Sequence, residues 1–299
     1  MHREKPSFYD ADFLSRLERL HLIGKHLARG SSAGQRRSRR LGDGLEFADH
    51  RDYAPGDDPR FLDWHYYARM ERLLLRLFHE HSQADVAILL DCSASMAPAG
   101  QQQKFNYARM AAAALAYLAM GDLDNVILCP MAAGLAKSMR TGRNRATMPA
   151  VLEFLSGLQA EGKTDLLQCS QRFARQYPAA GTVLLISDLL DSAQVLGEAL
   201  GWLRPAQRDV IVLHVYAPQD ARPQLSGPVV LEAAETHERR TMAISPKLLE
   251  AYARTWGRFT ESCRRTCLAC GATYVSAPTD VPFDRLILQT LRRAGLLVE

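Results

Sequence analysis

Short apolar runs without polar alternation recur along the chain, the pattern of strands buried on both faces of a parallel sheet. Residues 86–90 read VAILL, and similar runs lie at residues 125–131, 182–187 and 209–216. Between and after them the pattern predicts helices over residues 104–120, 147–159, 165–177 and 193–203. A hairpin over 229–244 turns around 235–238, and a long helix over 246–270, a strand at 272–277 and a last helix at 282–294 close the chain. Ahead of the first core strand, residues 11–28 suggest a helix with Phe13, Leu17, Leu20 and Leu27 on one stripe, and 73–79 reads as a further strand. Strands alternating with helices imply right-handed crossovers. The expected fold is therefore α/β, a doubly wound, mostly parallel sheet flanked by helices. Ligands in such folds bind outside the carboxyl ends of the strands, at the switch point.

The first core strand stops at Asp91, and from there Asp91, Ser93 and Ser95 occupy alternate positions, so an extended turn can aim three oxygens the same way. That is a place to hold a hard cation. Mg²⁺ wants near-octahedral oxygen ligands at about 2.0 to 2.1 Å, and Mn²⁺ is a second candidate. Further ligands must come from elsewhere. Thr164, within Gly162-Lys-Thr-Asp165, offers a third hydroxyl, and Asp188 ends the apolar run that begins at Thr182. The purely structural alternative is that Asp91 and Ser93 cap the turn or the helix that follows.

Asp-x-Ser-x-Ser followed by Thr and then Asp resembles the metal-ion-dependent adhesion site of von Willebrand factor A domains. Asp91, Ser93, Ser95, Thr164 and Asp188 fill its five positions in order. The resemblance implies that the serines ligate the ion directly, that the threonine does so directly or through water, and that the aspartates act largely through water. It also implies a sixth ligand from a Glu or Asp of a partner protein. A second resemblance lies upstream, in the segment E-F-x-x-x-R-x-Y-x-x-G-D-D-x-R-x-x-D-W-x-x-x-A-R. Glu46, Phe47, Arg51, Tyr53, Gly56, Asp57, Asp58, Arg60, Asp63, Trp64, Ala68 and Arg69 match it. The pattern is similar to the bacterial domain-of-unknown-function family numbered 58, whose members carry it ahead of a von Willebrand-type domain. Residues 1–83 are thus expected to form an N-terminal helix, a basic loop and a family-specific extension. Residues 84–299 would be the von Willebrand factor A-like domain, with a hairpin insertion near 228–244. The resemblance implies a metal-dependent protein-binding site rather than a reaction centre. It further implies a partner of the MoxR-type AAA+ ATPase class, or its client.

Within the extension, Pro55-Gly-Asp-Asp-Pro59 reads as a turn. Arg51, Arg60 and Arg69 are placed to pair with Asp57, Asp58 and Asp63, and Trp64 and Tyr67 to anchor the segment on the main domain. Alternatively the Asp57-Asp58 pair and the arginines form a second binding surface. Residues 29–42 hold five arginines and no acid. Arg36, Arg37, Arg39 and Arg40 could bind anions, but no aromatic residue interleaves them, so nucleic acid is not the expected partner.

Composition narrows the picture further. With 299 residues and 47% apolar content the chain can bury a sizeable core, and its formal charge of +4 gives no strong pull toward nucleic acid or anionic membrane. The first residues hold no apolar core of the kind a secretory signal needs, and the near-apolar stretch 110–120 is too short to span a bilayer. A cytoplasmic protein without a membrane partner is expected, with its six cysteines reduced. Cys263, Cys267 and Cys270 have an iron–sulfur-like spacing, yet i, i+4 and i+7 mark one face of the predicted helix, so core-facing thiols are expected. His214 reads as a core histidine. A phosphatase of the haloacid dehalogenase type would need an acid at position 93, where serine stands, and no Gly-x-Ser-x-Gly elbow is present.

Overall fold

The buried strands are realised as one central sheet in the computed structural model, which describes residues 13, 15–20, 41–42, 46–55, 57–79, 85–98, 103–121, 125–142, 144–191, 193–204 and 208–293. The chain divides into two compact units, one of Ala28–Gln83 and one of Met1–Leu27 with Ala84–Glu299.

In the smaller unit, β1 (Leu41–Gly42), β2 (Glu46–Asp52) and β3 (Leu74–His79) form an antiparallel sheet in the order β1-β3-β2. Neither β2 nor the helix α2 (Trp64–Met70) was expected from the sequence. The β2 sequence EFADHRD lacks apolar alternation, so its extended form rests on pairing with β3, with an irregularity between Phe47 and Asp49. Aromatic-rich WHYYARM is an indifferent helix former. Asp63 starts it by accepting from the Tyr66 amide at 2.9 Å, and Glu71 ends it at φ 51°.

The larger unit begins with a helix, here α1, in which Phe13, Leu17 and Leu20 are buried as their spacing predicted; the remainder of the expected 11–28 helix lies outside the described residues. The strands β4 (Asp85–Asp91), β5 (Val126–Met131), β6 (Met139–Arg140), β7 (Ala180–Ser187), β8 (Asp209–Tyr216) and β11 (Thr273–Pro278) make the central sheet. Its order is β11-β8-β7-β4-β5-β6, parallel except for the edge strand β6. The chain leaves β4 for β5 on one side and returns to β7 on the other, so the switch point falls between β4 and β7.

Side chains alternate across β4: Val86, Ile88 and Leu90 enter one core, Ala87 and Leu89 the other. The first core packs α1, α3 (Gln103–Gly121), α4 (Met148–Gly157) and α9 (Phe283–Arg293) against the sheet. In α3, Ala108, Ala111–Ala114 and Ala116 are fully buried, and side chains this small let the helix axis approach β4 closely. The second core packs α5 (Leu166–Gln176), α6 (Ala193–Leu203) and α8 (Pro246–Ala269). Cys263 and Cys267 lie buried on the inner face of α8 and Cys270 is half-buried, all three as free thiols. His214 is fully buried in β8, its Nδ1 2.7 Å from the Tyr274 hydroxyl.

Between β8 and α8 lie the one-turn helix α7 (Pro218–Ala221) and a hairpin of β9 (Gly227–Glu232) and β10 (Arg239–Ile244). His237 adopts φ 58° in the hairpin tip, the left-handed conformation glycine adopts most readily. No helix among the described residues is long and apolar enough to cross a membrane.

Candidate metal centre

Asp91 ends β4 and Asp188 follows β7, and both carboxylates are buried, at 5% and 2% exposure. A buried carboxylate requires donors. Asp91 has three: its Oδ1 accepts from the Ser93 amide at 2.9 Å and from Thr164 Oγ1 at 2.7 Å, and its Oδ2 from Ser187 Oγ at 2.6 Å. Ser93 and Ser95 present their hydroxyl oxygens 2.8 Å apart. Two crossing backbone bonds hold the turn in place, Ala94 N to Gly162 O and Glu161 N to Cys92 O, each 2.9 Å. Gly162 makes this possible at φ +68°. Thr164 is thereby set next to Asp91, and Asp165 behind it caps α5 by accepting from Gln168 N at 2.8 Å.

Asp188 is held differently. Its Oδ2 accepts from Lys104 Nζ at 3.1 Å, and the same ammonium lies 3.2 Å from Asp220 Oδ2. Burial pushes the Asp188 carboxyl above its ordinary range, and the charge of Asp91 adds to this while Lys104 opposes it. For Lys104, burial disfavours the charge, but Asp188 and Asp220 outweigh it and the ammonium is held above its ordinary value. Burial raises the carboxyls of Asp191 and Glu235 above their ordinary range; Lys163 opposes the rise and neighbouring aspartates, Asp91 among them, add to it. Glu235, half-buried at the hairpin tip, therefore stands within the electrostatic reach of Asp91 and Asp188.

The fold brings all five expected residues to one strand-end cradle. Their chemistry fits Mg²⁺ or Mn²⁺: the donors are hard oxygens throughout. Neighbouring ligands around an ion with bonds of 2.0 to 2.1 Å lie about 2.9 Å apart, close to the Ser93–Ser95 separation of 2.8 Å. Among the described residues no three carboxylates, imidazoles or thiols converge on one point, so any ion here depends on the hydroxyls. The hydroxyl of Ser93 is hydrogen-bonded to that of Ser95.

Two residues of the cradle escaped the motif. Ser187 is signalled only as a polar residue closing an apolar strand, and Lys104 only as a cation opening an alanine-rich helix. The extension pairs within itself. Arg51 meets Asp57 at 2.8 Å and Arg60 meets Asp58 at 2.6 Å as expected, but Asp63 takes His50 at 2.8 Å in place of Arg69. Those bonds hold Asp57 and Asp58 below the usual carboxylate range, the Ala54 amide being the leading cause for Asp57 and Arg60 for Asp58. Trp64 and Tyr67 are 59% and 43% exposed, and their rings meet edge to face. Arg36, Arg37, Arg39 and Arg40 lie outside the described residues.

A family model described as "Protein of unknown function DUF58" matches residues 49–260. The uncharacterized protein Rv1480 of Mycobacterium tuberculosis is 28% identical over 299 residues, covering 96% of this chain and 92% of that protein. Among solved structures, the conserved hypothetical protein BatB from Bacteroides thetaiotaomicron aligns with 71% of this chain and 98% of its own at 14% identity, TM-score 0.39. A von Willebrand factor type A protein from Catenulispora acidiphila aligns with 73% of this chain and 43% of its own, also at 14% identity, TM-score 0.43.

Proposed function

The chain belongs to the DUF58 family, whose description assigns no activity, and from that premise we propose that it is a protein-interaction module whose strand-end cradle takes Mg²⁺ or Mn²⁺ and, through it, a partner's carboxylate. The observation that carries this reading is the convergence of Asp91, Ser93, Ser95, Thr164 and Asp188 at the switch point between β4 and β7. When bound, the ion supplies an electrophilic position that an exposed Glu or Asp of another protein can fill.

The chain's own residues prepare that position. Ser93, Ser95 and Thr164 are neutral oxygen donors, so they neutralise little of a cation's charge and leave it attractive to an incoming anion. Asp91, fixed by Ser93, Thr164 and Ser187, orients the two hydroxyl-bearing loops. Asp188 would contribute negative charge to the site, tempered by Lys104. Nothing in this arrangement requires a bond of the partner to break, and the role assigned is adaptor rather than enzyme. The partner class taken from the family resemblance is a MoxR-type AAA+ ATPase or its client, met in the cytoplasm.

The test is capture of partners from native cytosol by tagged protein in Mg²⁺ and in EDTA, with Asp91→Ala and Ser93→Ala alongside. The expected result is an ATPase or client retained by the wild type in Mg²⁺ and lost in EDTA and in both variants. Retention that survives EDTA and both substitutions overturns the metal-bridged reading.

A further inference from the structure

Lys104 is the unusual member of the cradle. A lysine is almost never fully buried unless paired, and this one is 4% exposed at the start of α3. Its ammonium lies 3.1 Å from Asp188 Oδ2 and 3.2 Å from Asp220 Oδ2. Asp188 is sealed in the same cradle as Asp91, whereas the Asp220 side chain is 27% exposed and belongs to α7, beyond the end of β8. Asp220 is itself tied to the chain, accepting from the Ala217 amide at 2.9 Å. One buried positive charge is thus shared between a carboxylate of the cation cradle and a carboxylate outside it.

We propose that Lys104 is a positioning residue of the cation site, an internal counter-charge that occupies one oxygen of Asp188 and sets how strongly the cradle attracts a divalent ion, with Asp220 regulating how much of that charge Asp188 receives. This rests on the cation reading given above. The physical consequence follows from Coulomb's law in a partly desolvated site. A fixed ammonium beside Asp188 repels an incoming cation and keeps one carboxylate oxygen engaged. The cradle then binds its ion less tightly than its oxygens alone would allow, and the ion keeps more charge for a partner's carboxylate. Weakening the hold of Asp220 on the ammonium gives Asp188 a larger share of it.

The experiment is direct titration of full-length protein with Mn²⁺, followed by electron paramagnetic resonance at about pH 8, where ordinary carboxylates are ionised. Thermal melting of each variant reports folding. Lys104→Met is expected to bind Mn²⁺ on the order of tenfold tighter, and Asp220→Asn to bind it several-fold more weakly. A role confined to structural support would lower the affinity of Lys104→Met or leave it unchanged, and either result in folded protein overturns the proposal. Should Lys104→Met fail to fold, Lys104→Gln, which removes the charge and keeps a polar end beside Asp188, decides: tighter binding supports the proposal, and equal or weaker binding overturns it. Wild-type protein that takes up no Mn²⁺ removes the cation reading itself, whereas wild-type uptake unmoved by either substitution removes only the role of Lys104.

Discussion

At the scale of single residues, buried polar groups decide both stability and chemistry. Ser187 donates to a carboxylate that is almost wholly out of water. Ser187→Ala should therefore cost about 1–3 kcal/mol of unfolding free energy by urea titration, because it leaves Asp91 with one donor fewer. It should also weaken Mn²⁺ uptake although Ser187 lies outside the motif. His214 makes a second case. Burial holds its imidazole down to about 4, well below the ordinary value near 6.5. The folded state then resists protonation while the unfolded state does not, so its contribution is fully present above about pH 6.5 and is lost as pH falls toward 4. The loss amounts to roughly 3 kcal/mol from this group. His214→Phe should flatten stability over that window, and an unaltered slope would show that other groups govern it. The five residues that meet at the strand ends were legible in the sequence because they follow, in order and spacing, the motif they resemble. Ser187 and Lys104 were not, since what makes them matter is a partner 96 and 84 residues away along the chain.

At the scale of elements, strands buried on both faces announce themselves, and β4, β5, β7 and β8 lie within two residues of where their apolar runs placed them. Elements held by their neighbours do not announce themselves. β2 carries no alternation and exists through its pairing with β3, and α2 depends on a cap from Asp63 rather than on propensity. The opposite holds for α3, whose sequence calls for a helix while its alanines determine how near the sheet it lies. Ala112 has no exposed surface, so Ala112→Leu should overpack the contact and destabilise the fold by about 1–3 kcal/mol in calorimetry. α3 also carries Lys104 at its start, so such a displacement should disturb Mn²⁺ affinity too. In the hairpin turn expected at 235–238, where glycine is the more usual residue, His237 takes a left-handed conformation that a side chain makes uncommon.

At the scale of the whole molecule, a cation held only by the folded chain must raise its stability by mass action. At a concentration one hundred times its dissociation constant the gain is about 2.7 kcal/mol. For a domain of this size that corresponds to roughly 5–10 °C in melting temperature. Mg²⁺ should produce such a shift in the wild type and none in Asp91→Ala, as read by differential scanning calorimetry. A shift of equal size in both would place the ion elsewhere. The thiols buried in the two cores have a separate use. Cys92 lies in the core under α3, and Cys129, Cys169, Cys263 and Cys267 lie in the core under α5, α6 and α8. Burial pushes these thiols up to about 11 for Cys263 and about 12 for the other four, so alkylating reagents must wait for each layer to part before they can react. The native chain therefore carries its own pair of clocks, one on each side of the sheet. Site-resolved alkylation rates should show Mg²⁺ slowing Cys92, which sits between Asp91 and Ser93, more than the four thiols on the opposite face.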